Sequence, residues 1–170
     1  MGPERARKLA AELESQSTVD RIIVYGCAGA LTKEFRPGDT LQITHVIGPD
    51  SASELKASQE TLFDARLVSV SHLIRTPKEK SELQESTGAQ LVDMEMAYLW
   101  KACSPRVREK LTFIRGVVDG LNADLCFLTP ASQLAWTKLL HPRGARALLE
   151  FMKNLRRYRS SMESYLLHLN

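Results

Sequence analysis

Three short segments hold residues that could do chemistry, and each adjoins a predicted strand or helix. Small residues occupy positions 26–29 after the apolar run 21–25, so backbone N–H groups there could approach a ligand closely. Asp119 follows the apolar run 111–118, where partial loss of solvent would raise its pKa and suit it to general acid chemistry. Glu95 stands among apolar residues, and a carboxylate there could accept hydrogen bonds from two adjacent sugar hydroxyls.

Each segment also has an ordinary structural interpretation. Taken alone, the small residues at 26–29 are better explained as a tight turn, because short glycine motifs are weak signals. Asp119 followed by Gly120 suits a turn as well as it suits catalysis, and the segment alone favours neither. Asp93 is best explained as an acid at a helix N-terminus, where the free N–H groups and the dipole favour negative charge.

The elements that must position these residues follow from hydrophobic periodicity and turn signals. The predicted strands are 21–25, 40–47, 66–74 and 111–118, and the predicted helices are 3–15, 77–86 (charged and at the surface), 92–103, 129–140 and 142–167. Residues 48–65 are predicted to form a loop that could hold a short helix. Strands alternating with helices indicate a single α/β domain spanning 1–170, with a mixed, largely parallel central sheet flanked by helices. Ligands of such sheets bind beyond the carboxyl ends of the strands.

Composition and charge exclude several classes of function. The formal net charge of +3 does not indicate a nucleic-acid binder, and no apolar run approaches the ~20 residues that cross a bilayer. The first residues lack the apolar core of a signal peptide, so we expect a cytoplasmic protein without membrane partners. The cysteines Cys27, Cys103 and Cys126 are widely spaced and predicted to be buried, reduced thiols, and no metal site is expected.

Taken in order, these segments resemble the purine nucleoside phosphorylase and nucleosidase superfamily, which includes methylthioadenosine/S-adenosylhomocysteine nucleosidases and hopanoid-associated phosphorylases. The resemblance covers residues 3–119, and the ordered set is more specific than any one motif. It implies the phosphorylase/hydrolase-like α/β fold. The matching segments are Gly26-Cys27-Ala28-Gly29 after a strand, Gly38-Asp39, Thr87-Gly88-Ala89, Asp93-Met94-Glu95, and Val118-Asp119 with Val where the family has Ser.

The resemblance implies catalytic roles for two acids. Glu95, with Met94, would hold the ribose, and its carboxylate would bind the 2′ and 3′ hydroxyls. Asp119 would protonate or hydrogen-bond N7 of a purine leaving group. Cleavage of an N-glycosidic bond builds positive charge on the sugar and negative charge on the base, so a carboxylate near the sugar and a proton donor at the base oppose both.

The resemblance also implies the rest of the site. Ala28 and Gly29 would border the ribose and the nucleophile. His72 and Leu73 lie where the family places residues around the base, and Leu73 and Ile74 would bind the substrate. His72 lies in the same stretch, but an ordinary residue near a strand end is at least as good an explanation for it. No cofactor is implied, although phosphate could serve as a co-substrate, and a homodimer or larger homo-oligomer is expected.

Three departures from the family pattern leave two hypotheses open. Family members begin with a further strand and hairpin that supply the acid activating the nucleophile, so the domain is expected to be N-terminally truncated before Gly2. Val118 replaces a Ser that orients the neighbouring acid, and no Arg precedes Gly26 to bind phosphate. The first hypothesis is an enzyme that cleaves a purine nucleoside. The alternative is a catalytically impaired relative that binds a nucleoside or pairs with another subunit.

Overall fold

A computed structural model describes residues 3–15, 18–48, 52–54, 64–128, 134 and 141–167 of the 170-residue chain. The strands are β1 (Ile22–Ala30), β2 (Thr40–Ile47), β3 (Ala52–Glu54), β4 (Asp64–Ser69), β5 (Leu91–Asp93) and β6 (Leu111–Asp119). The helices are α1 (Pro3–Glu14), α2 (Pro77–Thr87), α3 (Met96–Ala102), α4 (Pro105–Arg108) and α5 (Pro142–Leu167).

The described strands form one mixed sheet in the order β3-β2-β4-β5-β1-β6. Three pairings are parallel (β1–β6, β2–β4 and β4–β5), and three are antiparallel (β1–β5, β2–β3 and β2–β6). Because β6 also pairs with β2, five strands close into a ring and β3 extends it at one side. The predicted mixed α/β architecture with helices around a central sheet is therefore confirmed.

Strand β6 lies at the centre of the core, as its mainly apolar sequence predicts for a strand covered on both faces. All nine of its residues are buried. Its neighbour β1 extends to Ala30, so the small residues at 26–29 belong to a strand and the tight turn predicted there is wrong. The small residues instead allow β1 to pack closely against β6, because side chains of β6 occupy the space that larger side chains on β1 would fill. A Cβ at Gly26 would lie 3.0 Å from Nη1 of Arg115.

Helix α2 is bounded by strong local signals. The hydroxyl of Thr76 accepts from the backbone N–H of Glu79 at 3.2 Å, and the Glu79 carboxylate accepts from the Thr76 N–H at 2.9 Å, which completes a capping box. Pro77 occupies the first turn and Gly88 ends the helix in the left-handed conformation, with φ of 64°. The predicted helix 77–86 is confirmed, but its assignment to the surface is wrong at one position: Lys80 is fully buried.

Two predicted elements have different boundaries because β5 was missed. The predicted helix 92–103 is a short strand, β5, followed by α3, which begins only at Met96. The strand predicted at 66–74 begins at Asp64 and ends at Ser69. Ser69 pairs with Asp93, the last residue of β5, so residues after Ser69 have no β5 residue to pair with. Within 48–65 the structure has β3 and the start of β4. The predicted helix 129–140 lies outside the described residues, apart from position 134.

Helices cover the ring of strands on the outside. Helix α1 packs against α3, and α5 packs against β6 and β2. The contact of α5 requires a glycine, because a Cβ at Gly116 would lie 2.2 Å from Cδ2 of Tyr158. The hydroxyls of Thr40 and Ser161 join β2 to α5 at 2.7 Å. The helices that the structure describes include none long and apolar enough to cross a membrane.

Candidate functional site

A cavity of about 400 Å³ opens where β1, β5 and β6 end, beside the segment that follows β4. Its volume is within the ~300–1,000 Å³ typical of small-molecule sites. The sequence-predicted site residues, which are dispersed over 92 positions of the chain, all line this one cavity: Ala28, Gly29, Leu73, Ile74, Met94, Glu95 and Asp119. Their individual roles stay predictions.

The carboxylate of Asp119 occupies space that Gly29 leaves open. The two residues are paired across β1 and β6, with an irregularity between Ala28 and Gly29 that places Val118 opposite no single partner. A Cβ at Gly29 would lie 2.9 Å from Oδ2 and 3.1 Å from Oδ1 of Asp119, closer than ordinary contact allows. Irregularities of this kind redirect side chains near functional sites. The glycine therefore permits the position of the acid.

Lys80 of α2 holds Asp119 in a buried ion pair. Its ammonium donates to Oδ2 of Asp119 and, at 2.6 Å, to the backbone carbonyl of Gly120. Lys80 is 0% exposed and Asp119 is 6% exposed. Burial raises the pKa of the Asp119 carboxyl, and the charge and hydrogen bond of Lys80 offset part of that rise.

Asp93 is the centre of a second buried network, beneath the start of α3. Its Oδ2 accepts from Nε and Nη2 of Arg115 at 3.0 and 2.9 Å, and its Oδ1 accepts from the Ser69 hydroxyl at 2.6 Å. The carboxylate also accepts from the backbone N–H groups of Glu95 at 3.2 Å and Met96 at 3.2 and 3.3 Å. Asp93 therefore acts at the helix N-terminus, as its position in the sequence indicates, and orients the backbone that carries Glu95.

Glu95 occupies the position just before α3, with φ of −142° and ψ of −41°. Its carbonyl accepts from the N–H of Leu99 at 3.1 Å, so the backbone begins the helix. The side chain makes no capping hydrogen bond to the helix, and it lines the cavity with Met94. A half-buried carboxylate facing a cavity is chemically suited to accept hydrogen bonds from vicinal hydroxyls.

Two further side chains with reactive or polar groups, Cys27 and His72, line the cavity. Cys27 is exposed, so the prediction of a buried thiol is wrong for this residue, whereas Cys103 is buried and Cys126 is half-buried. The surroundings of Cys27 are nevertheless partly desolvated, and this loss of solvent raises the pKa of the Cys27 thiol. His72 also lines the cavity and is exposed. Neither residue lies within the two buried networks.

Sequence reasoning missed two residues that hold the acids, Lys80 and Arg115. Arg115 is 2% exposed in the middle of β6, and a charge within an otherwise apolar buried run must have a buried partner. Lys80 precedes Leu83 by one helical turn, and Leu83 packs against the core. That spacing was the signal that Lys80 faces inward rather than toward solvent.

Comparison with solved structures identifies the fold. The chain resembles the 5′-methylthioadenosine/S-adenosylhomocysteine nucleosidase from Helicobacter pylori, in complex with butyl-thio-DADMe-Immucillin-A, at a TM-score of 0.66 and 17% identity, covering 99% of this chain and 77% of that one. It also resembles the Arabidopsis thaliana 5′-methylthioadenosine nucleosidase (TM-score 0.63, 16% identity, 97% and 68% covered) and the futalosine hydrolase of Helicobacter pylori (0.60, 16%, 91% and 75%). No protein-family model matches the sequence, and no curated protein matches it.

The protein thus shares its fold with these nucleosidases and with the futalosine hydrolase, which is the fold that the ordered motifs predicted. At 15–18% identity to the solved structures, the likeness concerns the fold. What the site does must be argued from its own residues.

Proposed function

We propose that this protein binds a purine nucleoside in the cavity at the ends of β1, β5 and β6 and cleaves its N-glycosidic bond. The observation that carries the proposal is the convergence of Glu95 and Asp119 on one cavity beside the small residues of β1. The solved nucleosidase from Helicobacter pylori was crystallised with a nucleoside analogue, an immucillin, which supports a ligand of this class.

The reaction breaks the bond between C1′ of the ribose and N9 of the base. The bonding electron pair leaves with the base and a proton is taken up at N7. The oxygen of phosphate, or of a water that gives up a proton to solvent, bonds to C1′. Glu95 binds the 2′ and 3′ hydroxyls and its negative charge stabilises the cationic sugar of the transition state. Asp119 protonates or hydrogen-bonds N7, which stabilises the departing base.

The remaining predicted residues complete the binding site. Ala28 and Gly29 present backbone rather than bulk beside the sugar, Met94 packs against it, and Leu73 and Ile74 supply apolar contact to the base. Phosphate as the attacking group makes the reaction a phosphorolysis that yields ribose 1-phosphate, and water makes it a hydrolysis. No cofactor takes part in either proposed reaction.

A catalytically impaired nucleoside-binding protein is the second candidate, and one observation favours it. Asp119 is already paired with Lys80, and a carboxyl that stays ionised in this pair has no proton to give to a leaving base. The two candidates differ in whether bound nucleoside is converted. Incubation of the protein with purine nucleosides, followed by chromatography of the free base, separates them: base release supports the enzyme, and saturable binding without base release supports the binding protein.

We further propose a cytoplasmic homodimer or larger homo-oligomer without nucleic-acid partners. Exposed apolar side chains on α5 support self-association, since Leu149, Met152 and Leu167 are 71%, 46% and 75% exposed. Light scattering coupled to size-exclusion chromatography measures the assembly. A monomeric mass at micromolar concentration would contradict the proposed oligomer.

A further inference from the structure

We propose that a second cavity, beside the nucleoside cavity, binds a small organic molecule that carries a doubly negative oxyanion group, a phosphate monoester or a dicarboxylate. The cavity measures about 530 Å³, within the ~300–1,000 Å³ typical of small-molecule sites. It opens between the segment after β1, the segment after β6 and one side of α5. Among the described residues, Asp119 alone lines both cavities, so the second cavity is a separate site.

Four basic side chains line this second cavity, and they come from two distant parts of the chain. They are Lys33 and Arg36 in the segment after β1, and Arg143 and Arg146 at the start of α5. Within the described part of the chain none of the four is in an ion pair. Arginine side chains bind phosphate and carboxylate groups through two parallel hydrogen bonds, so their presence favours an oxyanion as the ligand.

The acids at the cavity are too few to balance these cations. Those that line it are Asp119, Asp124 and Glu150. Asp119 is already paired with Lys80, and Asp124 accepts from the backbone N–H of Cys126 at 2.9 Å. With Asp119 set against Lys80, the four cations face two acids, and the excess of two positive charges matches a dianion.

The start of α5 carries positive charge where a helix disfavours it. Arg143 occupies the first turn, no acid occupies that turn, and Arg146 follows three residues later on the same side. The N-terminus of a helix has a partial positive charge, which makes cations there unfavourable and anions favourable. An anion bound between the two arginines would relieve this repulsion. These residues are therefore better explained by a ligand than by the folding of α5.

Asn154 provides an independent observation in favour of a ligand. It lies about three helical turns after Arg143, lines the cavity and is 8% exposed. Its amide makes no hydrogen bond to any residue that the structure describes. A buried amide without a partner is unfavourable, and its NH2 group can donate to an oxygen of phosphate or carboxylate. Asn154 thus offers a neutral donor in the buried part of a cavity that the basic residues border.

The apolar part of the lining indicates that the anion belongs to an organic molecule. The apolar side chains include Phe35, Leu121, Leu125 and Phe151. Phe151 is held against Phe127, with ring centroids 5.6 Å apart. Inorganic phosphate would leave this apolar surface without a contact, whereas a compact aromatic ester would cover it.

Calorimetric titration with phenyl phosphate, at neutral pH and low salt, tests the proposal. The wild type should bind it saturably, and should bind inorganic phosphate and the neutral benzyl alcohol about tenfold or more weakly, because each lacks one half of the interaction. Arg143→Gln and Arg36→Gln, on opposite sides of the cavity, should each weaken phenyl phosphate binding by about tenfold, and Asn154→Leu should also weaken it. Tighter binding of phthalate than of phenyl phosphate supports the same site and identifies its ligand as a dicarboxylate.

Thermal unfolding gives a second measurement on the same proteins. Without ligand, Arg143→Gln should have a Tm no lower than the wild type, because it removes a cation from the helix N-terminus. Phenyl phosphate should raise the Tm of the wild type and raise that of Arg143→Gln less. The matched control is Arg156→Gln, which is exposed on the same helix, does not line the cavity and should bind as the wild type does.

Three results would overturn the inference. They are an absence of saturable binding of both phenyl phosphate and phthalate at millimolar concentration, equal losses of affinity in Arg143→Gln and Arg156→Gln, and a loss in Glu95→Gln as large as that in Arg143→Gln. The last result would place the anion in the nucleoside cavity, which Glu95 lines. Nucleoside cleavage is measured separately, so the proposed function does not depend on any of these outcomes.

Discussion

Replacement of Gly29 by alanine tests whether Asp119 lies where the structure places it. The added Cβ would stand 2.9 Å from Oδ2 and 3.1 Å from Oδ1 of Asp119, closer than such atoms approach. The carboxylate must therefore move, but Lys80 and the buried end of β6 resist the movement. Overpacking of this kind costs about 1–3 kcal/mol, so the free energy of unfolding should fall by that amount.

The same substitution should weaken ligand binding, because a displaced Asp119 no longer meets the base. We expect nucleoside affinity to fall by about tenfold or more, as for the loss of a hydrogen bond to a charged group. Urea denaturation measures the stability, and calorimetric titration with a purine nucleoside measures the affinity.

Gly120→Ala is the matched control. Its Cβ would meet only Cδ of Pro37 at 3.7 Å and Cγ at 4.0 Å, which is ordinary contact. Its stability should stay within ~0.5 kcal/mol of the wild type. If Gly29→Ala is as stable as this control and binds nucleoside equally well, the contact between β1 and Asp119 is not as described, and the argument for the acid fails.

Three further predictions concern the other residues of the site. Glu95→Gln should weaken nucleoside binding by about tenfold or more and free-base binding much less, because the amide loses the charge that strengthens bonds to the ribose hydroxyls; calorimetry showing equal losses would remove Glu95 from that role. Arg115→Met should lower the free energy of unfolding by about 3–5 kcal/mol, because it leaves Asp93 buried without its cation. Arg159→Met, which breaks an ion pair at the exposed surface, should lower it by no more than ~1 kcal/mol. Equal effects of the two substitutions in urea denaturation would contradict the buried pair of Arg115 and Asp93. The rate at which iodoacetamide labels Cys27, measured by peptide mass spectrometry, should still increase as the pH rises above 9, because the pKa of this thiol is raised and the thiolate is the reactive form. A saturating purine nucleoside should slow the labelling. A rate that levels off below pH 9, or labelling that the nucleoside does not slow, would be evidence against the assigned cavity.

The sequence predicted the parts of the fold that have strong local signals. The mainly apolar sequence of β6 and the proline, capping and glycine signals of α2 depend on neighbours in the chain. The predicted bounds of both elements are therefore within one residue of the observed ones. The ordered motifs also placed Glu95 and Asp119 in one site, because the resemblance to the nucleosidase superfamily implies roles for both acids at the same ligand.

What the sequence did not predict depends on contacts between distant segments. β5 has only three residues and is a strand because β4 and β1 flank it, so an apolar helix was the natural interpretation of 92–103. The small residues at 26–29 indicated a turn, but their size accommodates the side chains of Arg115 and Asp119 from β6. The pairing of Lys80 with Asp119 joins residues 39 apart, and no local pattern specifies it.

Release of free base from a purine nucleoside tests the central claim most directly. The protein is incubated with a panel of purine nucleosides, with and without phosphate, and free base is measured by chromatography for the wild type and for Glu95→Gln. The account predicts that the wild type releases base from at least one nucleoside and that Glu95→Gln releases it at least about tenfold more slowly, a difference of ~1.4 kcal/mol in transition-state stabilisation. Absence of base release from every nucleoside, or equal release by both proteins, would contradict cleavage at this cavity.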